Sequence, residues 1–269
     1  MRAERVRPCE YVGRVGTGGS QPQVVRCSDG RVYAVKFGDN PGPTFGLRVL
    51  PAELVASRIA RLLGVRTPEY IVLAVGQEFL AENPDLRLML PDGNTRQPSA
   101  GLCLGSPWVD GGKPAPLEGV PLSEDNADVL ASTFVADNVM CMNHDHCRPY
   151  GNLVLDSDGR VWVVDWGHPF FFSQGGKAIC NDWSERMLCR FVSWDVMADG
   201  ELLPLPPVRD LLRGKTAAAR GRLARELDGA FEGIPDEWGV SGGEKRCARW
   251  FVQTRAELLP DLVERWLAS

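Results

Sequence analysis

Residues 143–155 read Asn143-His144-Asp145-His146-Cys147-Arg148-Pro149-Tyr150-Gly151-Asn152-Leu153-Val154-Leu155, and residues 163–167 read Val163-Val164-Asp165-Trp166-Gly167. Between them, Asp156-Ser157-Asp158-Gly159 separates two short apolar runs, which is the pattern of a β-hairpin. A hairpin returns the chain on itself, so Asn152 and Asp165, thirteen residues apart, are expected to lie close together. This segment decides the fold more than any other part of the sequence.

Asn152 and Asp165 carry an amide and a carboxylate, whose oxygens are the ligands that Mg²⁺ prefers. Asp165 follows an apolar strand, where a carboxylate without a partner would be costly to bury. A turn or N-cap role is the structural alternative for Asp165, and the full set of polar residues in the segment favours metal binding. Asp145 precedes this pair and is the candidate general base for an acceptor hydroxyl.

The beginning of the chain predicts three short strands, at residues 11–16, 22–27 and 31–37. Gly16-Thr17-Gly18-Gly19-Ser20-Gln21 joins the first two strands, and its glycines would let backbone N–H groups approach phosphate closely. Many such loops are only turns, so this signal is weak alone. Lys36 lies on the third strand and Glu53 on a predicted helix at 51–63, the arrangement that holds nucleotide phosphates in kinases. The alternative for both residues is simple exposure to solvent.

The remaining elements predict an α+β protein, with a small β-rich N-lobe and a helical C-lobe. Strands are predicted at 69–75 and 101–109, separated by a polar, proline-rich excursion at 82–98. A linker rich in Gly and Pro at 110–121 predicts the boundary between an N-lobe at 1–110 and a C-lobe at 111–269. Predicted helices occupy 124–142, 182–197, 208–212, 217–231 and 244–267.

Several segments together resemble the HipA-like kinase family. They are Gly18-Gly19-Ser20-Gln21-Pro22, Tyr33-Ala34-Val35-Lys36-Phe37, Asn40-Pro41-Gly42, residues 53–65, Gly101-Leu102-Cys103-Leu104-Gly105-Ser106, Asn143-His144-Asp145, Asn152-Leu153-Val154-Leu155 and Val164-Asp165-Trp166-Gly167. The resemblance covers most of residues 11–172 and does not extend beyond about residue 175. It implies a two-lobed protein-kinase-like fold that binds ATP (or GTP) between the lobes, with Mg²⁺.

The resemblance also implies a role for each matching residue. The loop of Gly16, Gly18, Gly19 and Ser20 would cover the triphosphate. Lys36 would bind its phosphates and pair with Glu53, Asp145 would be the base, and Asn152 and Asp165 would bind the metal. Trp108, in the predicted hinge, is a further candidate for the nucleotide site.

The catalytic segment departs from the family pattern at three points. The base and the metal-binding asparagine are usually five positions apart, whereas Asp145 and Asn152 are seven apart. His146 stands where an arginine often follows the base, and Tyr150 stands where the family often has a second asparagine.

The acceptor of the phosphate stays open between two classes. A small-molecule hydroxyl, of natural-product or nucleoside type as in antibiotic resistance or self-protection, is the first prediction. It is favoured because the acidic residues Glu118, Glu124, Asp125 and Asp128 indicate a solvated helix start rather than a docking surface for a basic peptide. A HipA-like serine/threonine protein kinase is the alternative. A pseudokinase that only binds is the third, and the intact set of Lys36, Asn152 and Asp165 argues against it.

Composition excludes several classes of protein. The 269 residues carry a formal net charge of −5, which argues against a nucleic-acid-binding surface. No apolar run reaches the roughly 18 residues of a membrane span, and the first residues lack the apolar core of a secretory signal. The eight cysteines are therefore expected to be reduced thiols, which predicts a cytoplasmic protein. Nothing in the sequence indicates an oligomeric state.

Two further features have structural interpretations. Cys141, His144, His146 and Cys147 offer four zinc-ligand types, but zinc sites usually draw their ligands from separate segments, so no zinc is predicted. Five tryptophans fall near helical apolar positions and are predicted to be core residues: Trp183, Trp194, Trp238, Trp250 and Trp266.

Overall fold

The structure is a computed structural model that describes residues 6–15, 20–40, 49–141, 146–147, 152–170, 172–174, 177–179, 183–195 and 197–268. For residues 172–174 and 177–179 the backbone alone is described. Within these ranges the strands are β1 (Pro8–Arg14), β2 (Gln23–Cys27), β3 (Val32–Lys36), β4 (Ile71–Val75), β5 (Leu88–Met89), β6 (Thr95–Arg96), β7 (Gly101–Pro107), β8 (Lys113–Pro114), β9 (Leu153–Leu155), β10 (Val161–Val163), β11 (Phe172–Gln174) and β12 (Lys177–Ile179). The α-helices are α1 (Val49–Leu62), α2 (Gln77–Glu82), α3 (Glu124–Met140), α4 (Glu185–Phe191), α5 (Pro206–Ala230) and α6 (Gly242–Ala268).

An antiparallel sheet in the order β1-β2-β3-β7-β4 forms the first part of the chain, and helices dominate the second part. The predicted fold class is therefore confirmed. On one side of the sheet lies a small core in which Val25, Val35 and Leu73 are fully buried. Lys36 pairs with Leu104 in the β3–β7 register, which places the lysine at the centre of the sheet.

Helix α1 belongs to the larger, second core of the molecule. Its buried residues share one apolar cluster with α3 and α5, so a helix from the N-terminal half packs among C-terminal helices. Arg58 of α1 also donates to the Ala230 carbonyl at 3.2 Å, and Arg222 of α5 donates to the Leu62 carbonyl at 3.2 Å. The division into lobes at residue 110 stays a prediction.

The excursion predicted at 82–98 contains regular structure. Helix α2 precedes it, and Leu88 and Met89 of β5 pair with Arg96 and Thr95 of β6 in a short hairpin. The predicted linker at 110–121 likewise contains β8, which extends the β9–β10 hairpin to three strands by pairing with β9. The sequence did not predict β5, β6 or β8, because each strand has only two residues and so shows no recognisable periodicity.

Two other predictions about the helical part were wrong. The helices predicted at 208–212 and 217–231 are one helix, α5, because Gly214 continues the helix instead of ending it. Trp250 is 41% exposed, whereas Trp183 is fully buried and Trp194, Trp238 and Trp266 pack against the core from its edge. In the described ranges no helix combines the length and apolarity that crossing a bilayer requires.

Candidate active site

Lys36 is bound by two carboxylates from distant parts of the chain. Its Nζ donates to Glu53 Oε2 at 2.8 Å, to Glu53 Oε1 at 2.9 Å and to Asp165 Oδ1 at 2.7 Å. The lysine and the glutamate are buried, whereas the Asp165 side chain is 35% exposed. The structure thus brings together three of the predicted site residues, and it opens the cluster to solvent on the Asp165 side.

Each of the three residues is placed by the element that carries it. Lys36 ends β3, and Glu53 lies in the second turn of α1, on the side of the helix that faces the sheet. Asp165 follows β10 and has a φ of +60°, a left-handed conformation that is costly for a residue other than glycine. Its backbone N–H donates to the Tyr70 hydroxyl at 3.1 Å, which helps to hold this conformation.

Burial and ion pairing act against one another at this cluster. Burial raises the pKa of Glu53 and Asp165 raises it further, and the opposing attraction of Lys36 does not cancel these effects. For Asp165, burial also raises the pKa, but Lys36 outweighs it, so the pKa lies below the usual range of aspartate. For Lys36, burial lowers the pKa, but Asp165 and Glu53 outweigh burial and raise it above the usual range. Lys36 and Asp165 are therefore charged at neutral pH.

A cleft of about 300 Å³ lies beside this cluster. The predicted site residues that line it are Ser20, Lys36, Glu53, Trp108, Asn152 and Asp165. Asn152 is close to Asp165 because the Val164 N–H donates to the Asn152 carbonyl at 2.8 Å, as the hairpin pattern predicted. Trp108 is 42% exposed, and its backbone N–H donates to the Val32 carbonyl at 2.8 Å, which fixes the segment after β7 against β3. The remaining predicted residues, Gly16, Gly18, Gly19 and Asp145, lie outside the described residues.

Tyr70 belongs to this site and was not predicted. It is buried just before β4, and its hydroxyl meets Asp165 while lying close to Glu53 and Ser106. Burial, followed by the nearby carboxylates of Glu53 and Asp165, raises its pKa well above that of a free tyrosine, so the phenol stays neutral. A tyrosine at a strand start is common in any sheet, so the sequence holds no signal for this role.

A buried acid–histidine cluster lies at the end of α3. His146 Nδ1 is 2.8 Å from Asp137 Oδ2, and Asp199 contributes a second carboxylate, with all three residues no more than 1% exposed. The His146 ring also packs against Trp166, with ring centroids 4.3 Å apart and the two planes at 48°. His146 therefore bonds to an aspartate of α3 rather than to the cysteines near it in sequence. His144, the other histidine considered for zinc, lies outside the described residues.

Comparison with known proteins identifies the fold through structure alone. No protein-family model and no curated protein matches the sequence. The crystal structure of a Helicobacter pylori proinflammatory kinase, CtkA, is similar at 12% identity, with a TM-score of 0.56 over 97% of this chain and 96% of that one. Two structures of the Golgi casein kinase, one with Mn/ADP bound, are 9% and 10% identical, with TM-scores of 0.46 and 0.43. They cover 97% and 98% of this chain and 74% of each kinase. The likeness to CtkA shows that this chain has a kinase fold.

Proposed function

We propose that this protein is a phosphotransferase that moves the γ-phosphate of ATP (or GTP) to an acceptor hydroxyl with the help of Mg²⁺. The observation that carries the proposal is the bridging of Lys36 between Glu53 and Asp165 in a cleft that Asn152 also lines. A buried lysine between two carboxylates is an expensive arrangement for a purely structural purpose. In a kinase fold the same three residue types bind nucleotide phosphates and metal.

The residues at the metal position fit a magnesium ion. Asp165 and Asn152 offer a carboxylate and an amide oxygen, the hard donors that Mg²⁺ prefers. Gly167 keeps space open beside them, because a Cβ there would lie 3.2 Å from Asp165 Oδ1. When bound, Mg²⁺ supplies positive charge that neutralises the phosphate oxygens.

The chain's own residues would then divide the remaining work. Lys36 binds the phosphates, and Glu53 keeps the lysine oriented. The acceptor oxygen forms a bond to the γ-phosphorus as the bond from that phosphorus to the β,γ-bridging oxygen breaks, and the electron pair leaves with the nucleoside diphosphate. Asp145 accepts the proton of the acceptor hydroxyl.

For the acceptor we propose a small-molecule hydroxyl, of the natural-product or nucleoside type. Two of the acidic residues that might have attracted a basic peptide are engaged in ion pairs. Asp125 is 2.7 Å from Arg66, and Asp128 is 2.7 Å from Lys215. The HipA-like motifs favour the second candidate, a serine or threonine of a protein. Placement in the cytoplasm is proposed with either acceptor, on the reduced cysteines that the sequence predicts.

An acceptor screen tests the proposed function. The full chain would be incubated with γ-labelled ATP or GTP and Mg²⁺, and offered sugar and nucleoside natural products, protein substrates, or no acceptor. Label on a small molecule supports the first candidate, and label on protein supports the second. Nucleotide binding without transfer to any acceptor would instead support a pseudokinase. Asp165→Ala is the control in each reaction, because label that persists in this variant does not come from the proposed site.

A further inference from the structure

One wall of the cleft is held by side chains that the proposed chemistry does not use. Val15, Ser20 and Pro22 line this wall, and the Val15 N–H donates to the Pro22 carbonyl at 3.0 Å. Val15 directly follows β1, and Ser20 and Pro22 precede β2, so the wall lies between these two strands, at the sheet edge away from β4. An edge of this kind has few neighbours, so its position depends on contacts from outside the sheet.

Gln21 supplies the first such contact through its side chain. Its Nε2 donates to the Met89 carbonyl at 2.8 Å, and its Oε1 accepts the Met89 N–H at 2.6 Å. The amide therefore pairs with the backbone of β5 as a neighbouring strand would. Gln21 also has a φ of +42°, a conformation that persists only where surrounding bonds hold it. Gln23 adds one of these bonds, from its Nε2 to the Gln21 carbonyl at 2.9 Å.

A second contact reaches the same wall from the segment that follows β3. The Asn40 side-chain amide donates to the Ser20 carbonyl. The neighbouring Asp39 accepts from Arg96 Nη1 at 2.6 Å and from the Ser99 N–H at 2.9 Å. Burial raises the pKa of Asp39, but the hydrogen bonds from Arg96 and Ser99 outweigh it, so Asp39 is ionised at neutral pH. The β5–β6 hairpin is thus bonded to Gln21 through Met89, and to Asp39 in the segment after β3 through Arg96.

We propose that Gln21, through its bonds to Met89, is a positioning residue. It fixes the cleft wall that contains Ser20 in the position that nucleotide phosphates require. The inference rests on the proposed function, since it assigns the wall to the phosphate end of a nucleotide. Ser20 lines the same cleft as Lys36 and directly follows the glycines that the sequence predicts at the triphosphate. The β5–β6 hairpin is then an external support for the nucleotide site.

The test compares Gln21→Asn with Met89→Ala in the full chain. Asparagine keeps the amide and tolerates positive φ, but it is one methylene too short to reach β5. Met89→Ala is the matched control because Met89 contributes only backbone atoms to the bonds with Gln21, and the residue is 44% exposed. Titration calorimetry with ADP and Mg²⁺ should show about tenfold weaker ADP binding in Gln21→Asn, while adenosine affinity stays unchanged. Met89→Ala should bind both as the wild type does.

Equal ADP affinity in Gln21→Asn and the wild type would overturn the proposal. So would an equal loss of affinity for ADP and adenosine, which indicates general damage to the fold. A wild type that binds no ADP would contradict the proposed function instead. In that case, hydrogen exchange of the free chain still tests whether the Gln21 side chain holds Met89. The Met89 amide should exchange about tenfold faster in Gln21→Asn, and unchanged exchange would refute the proposed role of Gln21.

Discussion

At the scale of single residues, the site depends on one lysine that two acids share. Lys36 can satisfy Glu53 and Asp165 at the same time because Glu53 comes from a helix on one side and Asp165 from a turn on the other. The two acids differ in exposure, and only Asp165 reaches solvent in the cleft. Glu53 is therefore suited to orienting the lysine, and Asp165 to meeting a ligand.

Asp165→Ala is expected to lower the turnover number by at least about a hundredfold, because it removes a preorganised charge from the proposed phosphate and metal position. Steady-state kinetics with the acceptor found in the screen measure the effect. Asp158→Ala is the matched control, since Asp158 lies on the same hairpin with its side chain 64% exposed, and among the described residues it forms an ion pair with Arg160 alone, at 3.4 Å. Wild-type turnover in Asp165→Ala would contradict the assignment.

The pH profile of the activity should have an acid limb, in which the rate falls as Glu53 becomes protonated. This limb should lie at a higher pH than the pKa of an ordinary glutamate would give. The pKa of Glu53 in the folded protein lies above the ordinary value of 4.5, so protonation breaks the pair with Lys36 as pH falls through the raised pKa. The rate of transfer, measured from pH 5 to pH 9, should therefore fall on the acid side, and Glu53→Gln should be less active without this limb. An unchanged profile in Glu53→Gln would rule out this role.

The raised pKa of Glu53 affects the stability of the fold in the opposite direction to its effect on activity. A carboxyl whose pKa is raised by folding stabilises the fold while it is protonated, and this contribution is lost as pH rises through the folded pKa. Glu53→Gln is therefore expected to be at least as stable as the wild type at pH 8 in urea denaturation. Lower stability of the variant at that pH would show that the ion pair outweighs the cost of burial.

At the scale of elements, one buried side chain joins α3 to the β9–β10 hairpin. Asn126 lies in the first turn of α3, and its Oδ1 accepts the Val161 N–H at 2.8 Å. Its Nδ2 donates to the carbonyls of Gly159 and Pro121, both at 2.9 Å. The hairpin that carries Asn152 and Asp165 is thus oriented by the start of a helix that is otherwise buried in the core.

Asn126→Ala is expected to destabilise the protein by at least about 2 kcal/mol, because it leaves buried backbone groups without their hydrogen bonds. Urea denaturation followed by far-UV circular dichroism measures this change. Asn94→Ala is the control, since Asn94 is exposed and its side chain, within the part of the chain that the structure describes, bonds only to Asp92, at 2.9 Å. A loss of stability as small as that of the control would show that the backbone groups find other partners.

The sequence predicted those elements and residues whose signal is local. The hairpin with Asn152 and Asp165, the strand with Lys36 and the helix with Glu53 each have a short pattern of their own. Tyr70 and Asn126 could not be predicted, because their roles arise from contacts with residues 95 and 35 positions away. The sequence predicted two helices, at 208–212 and 217–231, where the structure has one. Gly214 lies between them and has an unfavourable helix propensity, but the burial of Leu212 and Thr216 outweighs that cost.

At the scale of the whole molecule, the two cores are linked through α1. The helix carries Glu53 toward the sheet, while residues such as Leu54 and Ile59 are fully buried in the cluster shared with α3 and α5. Removing the C-terminal helices would expose this apolar surface to water. The sheet region and the helical region are therefore expected to be one unit of folding, although the fold has two parts.

A fragment of residues 1–110 is accordingly expected not to fold by itself, and the full chain should unfold in one transition. Tryptophan fluorescence and far-UV circular dichroism, recorded together in urea, should give coincident curves. The fragment should lack the dispersed amide spectrum of a folded domain. Two separate transitions, or a folded fragment, would contradict this expectation.

The seating of α1 has a consequence for regulation. In a kinase fold, a switch can act by swinging the glutamate helix away from the lysine, which separates the ion pair. Here Arg58 of α1 donates to the carbonyls of Ala230 and Glu232, at and just after the end of α5. Arg222 of α5 donates to the Leu62 carbonyl in the last turn of α1. Because these bonds already hold α1 where Glu53 meets Lys36, we expect that forming this ion pair needs no activating partner.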